Sequence, residues 1–254
     1  MAIRLGINGA CGRMGRAVGR LALQDRAFRI AAAVAAPGDA RLGADYGRLL
    51  GADEIGVVLR SELRESVDAV IDFSTPGATR ARLAECVRRR VPIVIGTTGL
   101  TDADRRAARA AARKIPVLIA SNMSVGVNLL LAFLPRLAAA LGPGYDIDIV
   151  ETHHRFKKDA PSGTALALAR AIREGAGPDR KIGVHSVRAG DAVGEHRVLF
   201  SSLGDTIELS HRANSRDIFA RGALQAARVL ARAKPRAYSM RDVLRFSLDR
   251  AEPG

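Results

Sequence analysis

Between Glu151 and Ala165 the chain reads Glu-Thr-His-His-Arg-Phe-Lys-Lys-Asp-Ala-Pro-Ser-Gly-Thr-Ala. Residues 153–158 hold two imidazoles (His153, His154), one guanidinium (Arg155) and two ammoniums (Lys157, Lys158). The run ends on Ser162-Gly163-Thr164, a pattern that opens a helix, and unspent N–H groups at such a start bind carboxylates. Imidazole is the usual proton carrier near neutral pH. These types at this spacing suit a small substrate with more than one carboxylate, with a proton donor beside it. The chain has 35 Arg and 5 Lys, yet two of the five Lys fall here. Arginine does not give up its proton, whereas a lysine of lowered pKa does, so lysine in this place fits proton transfer. A solvated basic turn would carry the same composition. A metal is a further reading of His153 and His154, but neighbours on a strand end point opposite ways. No cysteine or acidic cluster accompanies them, and no metal is expected.

The second chemical signal is Gly9-x-x-Gly12-x-x-Gly15 with Arg13 inside it. A strand, a glycine-rich turn and a helix together bring backbone N–H groups and a positive helix end to a pyrophosphate. The spacing departs from G-x-G-x-x-G, because Ala10 stands where a glycine would sit, and a tight strand-to-helix connection would look the same. At the end of the second strand an acidic residue meets the ribose of NAD, and a basic one the extra phosphate of NADP. Here stand Ala35 and Ala36, so that position favours neither cofactor.

These residues need a frame. Residues 2–8, 29–35, 67–73, 91–95 and 115–120 read as strands. The helices between them start after Gly15, at Thr75-Pro76 and at Thr101, where Asp104 completes a capping box. Such alternation predicts a parallel sheet covered on both faces. After Ser121 the pattern changes. An apolar helix runs from Ser124 to Leu141 and should kink or break at Pro135. Strands follow at 145–151, 181–189, 195–202 and 206–212, with a helix from Ser162 and a tight turn at Gly204-Asp205. A last helix, near 215–233, leads back to the first part. The expected fold is α/β: a Rossmann-like parallel-sheet dinucleotide-binding domain (1–125 and 217–254) and an α+β domain with an open mixed sheet (126–216).

Composition narrows the class. The 254 residues are 48% hydrophobic, enough for a sizeable core, and two cysteines are too few for a disulfide scaffold. No signal peptide and no unbroken apolar span is read, so a soluble, cytoplasmic protein without membrane association is expected. The net charge of +14 raises nucleic acid as a partner. The arginines are spread along the chain and aromatics are only 4%, which argues against base stacking. A positive surface also attracts small anions.

The segment His153-His154-Arg155-x-Lys157-x-Asp159-Ala160-Pro161-Ser162-Gly163-Thr164-Ala165 resembles the 4-hydroxy-tetrahydrodipicolinate (dihydrodipicolinate) reductase family. So do Gly9-x-x-Gly12-Arg13-Met14-Gly15, Ile71-Asp72-Phe73-Ser74, Gly96-Thr97-Thr98-Gly99 and Asn122-Met123-Ser124-Val125-Gly126-Val127-Asn128. Arg188-Ala189-Gly190-Asp191 through Glu195-His196 and Met240-Arg241-Asp242-Val243-Leu244 extend the likeness nearly end to end. The resemblance implies an NADH- or NADPH-dependent oxidoreductase. It would reduce 4-hydroxy-tetrahydrodipicolinate to tetrahydrodipicolinate with loss of water, in lysine biosynthesis via diaminopimelate. It implies that His153 donates or accepts a proton, that Lys157 is a second donor, and that His154, Gly163 and Thr164 hold a substrate carboxylate. The dinucleotide would lie along Gly9, Ala10, Cys11, Gly12, Arg13 and Met14, by Ala35 and Ala36. It would continue past Gly96, Thr97 and Thr98, and past Ala120, Ser121, Asn122 and Met123. It further implies a homotetramer joined through the second sheet, with domains that close on the ligand. Members often carry an acidic residue then arginine where this chain has Ala35 and Ala36, although Arg13 remains able to meet a phosphate. Met123 replaces a common phenylalanine and keeps an apolar contact.

Overall fold

Near-continuous apolar runs become parallel strands when helices cover both faces of a sheet. The computed structural model describes residues 1–244, so the last ten positions of the expected first domain lie outside the described residues. Contacts divide these residues into two units, 1–123 with 217–244, and 124–216.

The first unit is built on strands β1 (Ile3–Asn8), β2 (Phe28–Val34), β3 (Leu59–Arg60), β4 (Ala69–Asp72), β5 (Ile93–Ile95) and β6 (Val117–Ile119). The returning chain adds an edge strand, β11 (Ala237–Tyr238). All pair in parallel in the order β11-β6-β5-β4-β1-β2-β3. The connections leave β1 in opposite directions, which opens a crevice beyond the carboxyl ends of β1 and β4. Helices α1 (Arg13–Gln24), α3 (Pro76–Arg89), α4 (Asp102–Ala111) and α7 (Asp217–Leu230) supply the cover. Leu5, Ile7, Val18 and Leu224 pack in one apolar cluster, and Val70, Ile93, Leu83 and Cys86 in another. Thr75 caps α3, and Thr101 with Asp104 closes a reciprocal capping box on α4. The sequence pattern does not announce β3, β11, α2 (Tyr46–Leu50) or α8 (Met240–Leu244). Each is at most five residues long, too short to show a period.

The second unit holds α5 (Val125–Leu141), β7 (Asp146–His153), α6 (Gly163–Ala176), β8 (Gly183–Arg188), β9 (Gly194–Ser201) and β10 (Thr206–Ala213). Its sheet has the order β10-β9-β7-β8, with β7 parallel to β8 and the other pairs antiparallel. Leu134 and Ala138 of α5 and Leu168 and Ile172 of α6 cluster with Ile147, Ile149, Val198 and Phe200 of the sheet. Two expectations are corrected here. Pro135 does not break α5, which runs from Val125 to Leu141 as one element. The carbonyl of Pro135 is approached by Gly175 of α6 so closely that only glycine fits there, so the two helices meet backbone to backbone at this turn. Residues 125–144 also have a mean hydropathy of 1.7, long and apolar enough by composition to cross a membrane. Leu134 and Ala138 of this segment pack against α6 and the sheet, while Val125, Leu129 and Phe133 stay exposed.

Candidate active site

A strand alternates sides every residue. Along β7 this places Ile147, Ile149, Glu151 and His153 on one buried face. Along β9 it places Gly194, His196, Val198 and Phe200 likewise. The apolar core of the second unit therefore ends, at one end of both strands, in a carboxylate and two imidazoles.

Glu151 is the hub of that end. It is fully buried, and a buried carboxylate is costly unless its oxygens are satisfied. Here Oε1 accepts from Arg188 Nη2 at 2.6 Å and from the Ser162 backbone N–H at 3.1 Å. Oε2 accepts from Arg188 Nη1 at 2.9 Å and lies 2.5 Å from His153 Nδ1. Burial would raise the Glu151 carboxyl, but the Arg188, Ser186 and His153 side chains and the Ser162 N–H bring it down to about 2. An ionised Glu151 requires the proton on His153 Nδ1, so Nε2 is the atom available for proton exchange. Burial lowers the pKa of His153 and Glu151 opposes it, while the charges of Lys157 and Arg188 lower it further. The His196 ring stands edge-on to His153 at 5.2 Å, and burial with the His153 charge pushes His196 down to about 4.

The remaining predicted residues gather around this hub. Arg188 also donates to the Asp159 carbonyl at 2.6 Å, so the Glu151–Arg188 pair pins the loop after β7. Lys157 Nζ donates to both Asp159 oxygens at 2.7 and 2.8 Å, and its charge reaches His153. His154 stands beside Phe156 in the same loop. Ser162 caps α6 through the Ala165 N–H, which leaves Gly163 and Thr164 in the first helical turn. Helix start, imidazole and ammonium thus surround one carboxylate-bound arginine. The sequence reading passed over Glu151 as a site residue and gave Arg188 no role. The alternation Ile-x-Ile-x-Glu-x-His was the signal, because it puts a carboxylate in line with core residues.

The first unit brings its predicted residues to the carboxyl edge of the parallel sheet. Gly9 adopts φ +76°, and a Cβ there would lie 2.3 Å from the Phe73 carbonyl. A Cβ on Gly15 would lie 2.2 Å from the Gly9 carbonyl, so α1 can start against the turn only with glycine. No side chain caps α1 at Gly12. This is the cradle a pyrophosphate needs: a tight turn, close backbone and an uncapped helix start. Gly96 and Thr97 follow β5, Ala120 follows β6, and Ala35 follows β2. Beneath them Asp72, fully buried at the end of β4, collects Asn8 Nδ2 at 2.8 Å, Ser74 Oγ at 2.5 Å, Thr79 Oγ1 at 2.5 Å and Thr97 Oγ1 at 3.3 Å. That knot joins the loops after β1, β4 and β5. Ala36 is exposed and Met123 buried. No group of metal-binding side chains occurs among the described residues.

Two family models match, described as dihydrodipicolinate reductase, N-terminus, over residues 3–123, and dihydrodipicolinate reductase, C-terminus, over residues 126–244. The chain is 48% identical to the 4-hydroxy-tetrahydrodipicolinate reductase of Rubrobacter xylanophilus, over 96% of this chain and 99% of that one. It is 43% identical to the enzyme of the same name from Magnetococcus marinus, over 97% and 100%. Its fold is similar to that of a dipicolinate-bound dihydrodipicolinate reductase from Paenisporosarcina sp. TG-14. That likeness has a TM-score of 0.79 and 26% identity, and covers 94% of this chain and 98% of that one.

Proposed function

The chain belongs to the dihydrodipicolinate reductase family, and from that premise we propose that the Glu151-anchored cluster of the second unit is its proton-transfer and carboxylate site. The reaction is the NAD(P)H-dependent reduction of 4-hydroxy-tetrahydrodipicolinate to tetrahydrodipicolinate, in lysine biosynthesis through diaminopimelate. Over one turnover the substrate gains a hydride and a proton and loses its hydroxyl as water.

The reduced nicotinamide supplies the hydride when bound. Its pyrophosphate would rest on the backbone of Gly9 to Met14, and Gly96 to Thr98, Ala120 to Met123 and Ala35-Ala36 would line the remainder. Every other step falls to the second unit. The N–H groups of Gly163 and Thr164, with His154, bind a carboxylate. Lys157 gives a proton, and its pairing with Asp159 keeps the ammonium in place until an anionic substrate competes for it. His153 exchanges a proton through Nε2 while Glu151 holds Nδ1, the arrangement that fixes tautomer and orientation in acid–base sites. The observation that carries this reading is the buried Glu151 tying His153, the start of α6 and Arg188 into one unit.

A homotetramer joined through the second sheet and a cytoplasmic location complete the proposal. The test is loss of reduced-nicotinamide absorbance, with NADH and NADPH in parallel. Substrate would be made in place from aspartate semialdehyde and pyruvate by the preceding synthase. Rapid oxidation is expected. Folded, cofactor-bound protein that oxidises neither would hand the chain to a different imine or keto acid. Elution of the active protein at one-chain mass would remove the tetramer.

A further inference from the structure

The motif Gly194-Glu195-His196 carries part of the family likeness, yet the proton-transfer scheme gives it no part. Strand β9 pairs with β7 so that His196 lies opposite Glu151 and Glu195 opposite Thr152. One step further along the ladder, Gly194 comes level with His153, and both are buried on the core face. Gly194 opens β9 opposite Ala213 of β10 and is not among the glycines of positive φ, so its backbone does not call for glycine. The demand comes from the neighbouring ring. A Cβ at Gly194 would lie 3.0 Å from His153 Nε2, 3.3 Å from its Cδ2 and 3.8 Å from its Cε1, and these are its three nearest atoms. The bare backbone here faces the ring nitrogen that Glu151 leaves free.

Relief of such a contact would need the ring to retreat, and the ring is held. Its Nδ1 lies 2.5 Å from Glu151 Oε2, on a carboxylate that Arg188 and the Ser162 N–H hold in turn. His196 stands edge-on to it with ring centres 5.2 Å apart and planes at 78°, and its own Nε2 lies 3.2 Å from Ser162 Oγ. The His153 side chain is 11% exposed, so the ring has little other access to solvent. A methyl group at position 194 would press on Nε2, shield it and tilt the ring off the Glu151 oxygen. Shielding also disfavours the imidazolium.

We propose that Gly194 is a positioning residue for the reaction, its missing side chain keeping His153 Nε2 open and aligned against the wall formed by Glu151 and His196. This rests on the proton-transfer reading of the second unit. Charges that bear on the ring come from Glu151 of β7, Arg188 of β8 and Lys157 of the loop before α6. His196 of β9, with His211 of β10 beyond it, completes the titratable surroundings. The atoms nearest a Cβ at position 194 all belong to His153. A methyl there therefore acts on the position and solvation of the ring and leaves that set of charges in place.

The chain has five histidines, so NMR of the imidazole nitrogens reads each ring separately. The test is that titration across the range in which histidine ionises, with kcat measured alongside, for the natural chain, Gly194→Ala and Gly194→Ser. In the natural chain His153 should keep its Nδ1 proton throughout while Nε2 titrates. Gly194→Ala should lower kcat by about tenfold or more, as expected when an acid–base group is displaced. Its His153 titration and the acid limb of its rate profile should move to lower pH, with the signals of His154, His185 and His211 in place. Gly194→Ser adds the same Cβ, but its hydroxyl accepts from the Nε2 proton, so its titration should fall less. A ring in the natural chain that carries its lasting proton on Nε2 would overturn the inference without any variant. So would a folded Gly194→Ala with rate and His153 titration unmoved, equal shifts in the two variants, or a shift of all five rings together. Natural protein that oxidises neither cofactor would defeat the proton-transfer reading itself, and this inference with it.

Discussion

All five histidines of the chain lie in the second unit and none in the first. The first unit offers an anion mostly backbone: a glycine turn, an uncapped helix start and loops tied by a buried Asp72. Such a site has no group that titrates near neutral pH. The second offers imidazoles, an ammonium and a carboxylate whose protonation is set by burial and by Arg188. On the proposed function, one unit would hold a ligand by shape and dipole, the other by groups that can also move a proton. Binding and proton transfer should therefore separate by unit when residues are changed.

The largest separation is expected at Lys157. Lys157→Ala should lower kcat by about 10²–10⁴-fold, the usual worth of a general acid, with the Kd for NADH unchanged. Lys157→Arg should restore little, and full activity of that variant would show that charge alone suffices. The mirror experiment is Gly15→Ala, whose Cβ would lie 2.2 Å from the Gly9 carbonyl. Overpacking of this kind costs about 1–3 kcal/mol, which is about five- to 150-fold in Kd for NADH where the cost falls on the bound state. Dipicolinate binding, measured by calorimetry, should stay intact. Loss of both ligands together would dissolve the comparison.

Glu151→Gln sharpens it within the second unit. Glutamine still accepts from His153 Nδ1, so the ring stays oriented, but the carboxylate charge that props up the His153 pKa is gone. The acid limb of the rate–pH profile should move to lower pH, with a modest fall in kcat. An unmoved profile would mean that Glu151 only builds the fold. A further effect concerns stability rather than activity. His196 is held neutral down to about 4, below its ordinary 6.5. The unfolded chain therefore binds more protons between those values. Stability contributed by neutral His196 is complete above about pH 6.5 and is lost as pH falls toward 4, on the order of 3 kcal/mol. Urea titrations across that window should show the loss, and His196→Gln should flatten it.

How much of this was legible follows from the same contrast. The parallel sheet was readable because its strands are short apolar runs between capped helices, as at Thr75 and Thr101. The histidine–lysine loop stood out because its side chains are of types able to carry chemistry. Glu151 was overlooked because a carboxylate on a core face looks like one more polar position until alternation with Ile147 and Ile149 is noticed. At Pro135 only the expected break is absent, since α5 continues past it.

The division of labour is tested most directly by calorimetric titration of NADH and of dipicolinate into the same protein from pH 5 to 8. An anion beside His153 favours the protonated ring, which Glu151 of β7, Arg188 of β8, His196 of β9 and Lys157 of the loop otherwise hold in balance. Dipicolinate should therefore bind more tightly as pH falls from 8 to 5, while the Kd for NADH stays within about twofold. An NADH affinity that titrates across this range while dipicolinate affinity stays flat would contradict the account.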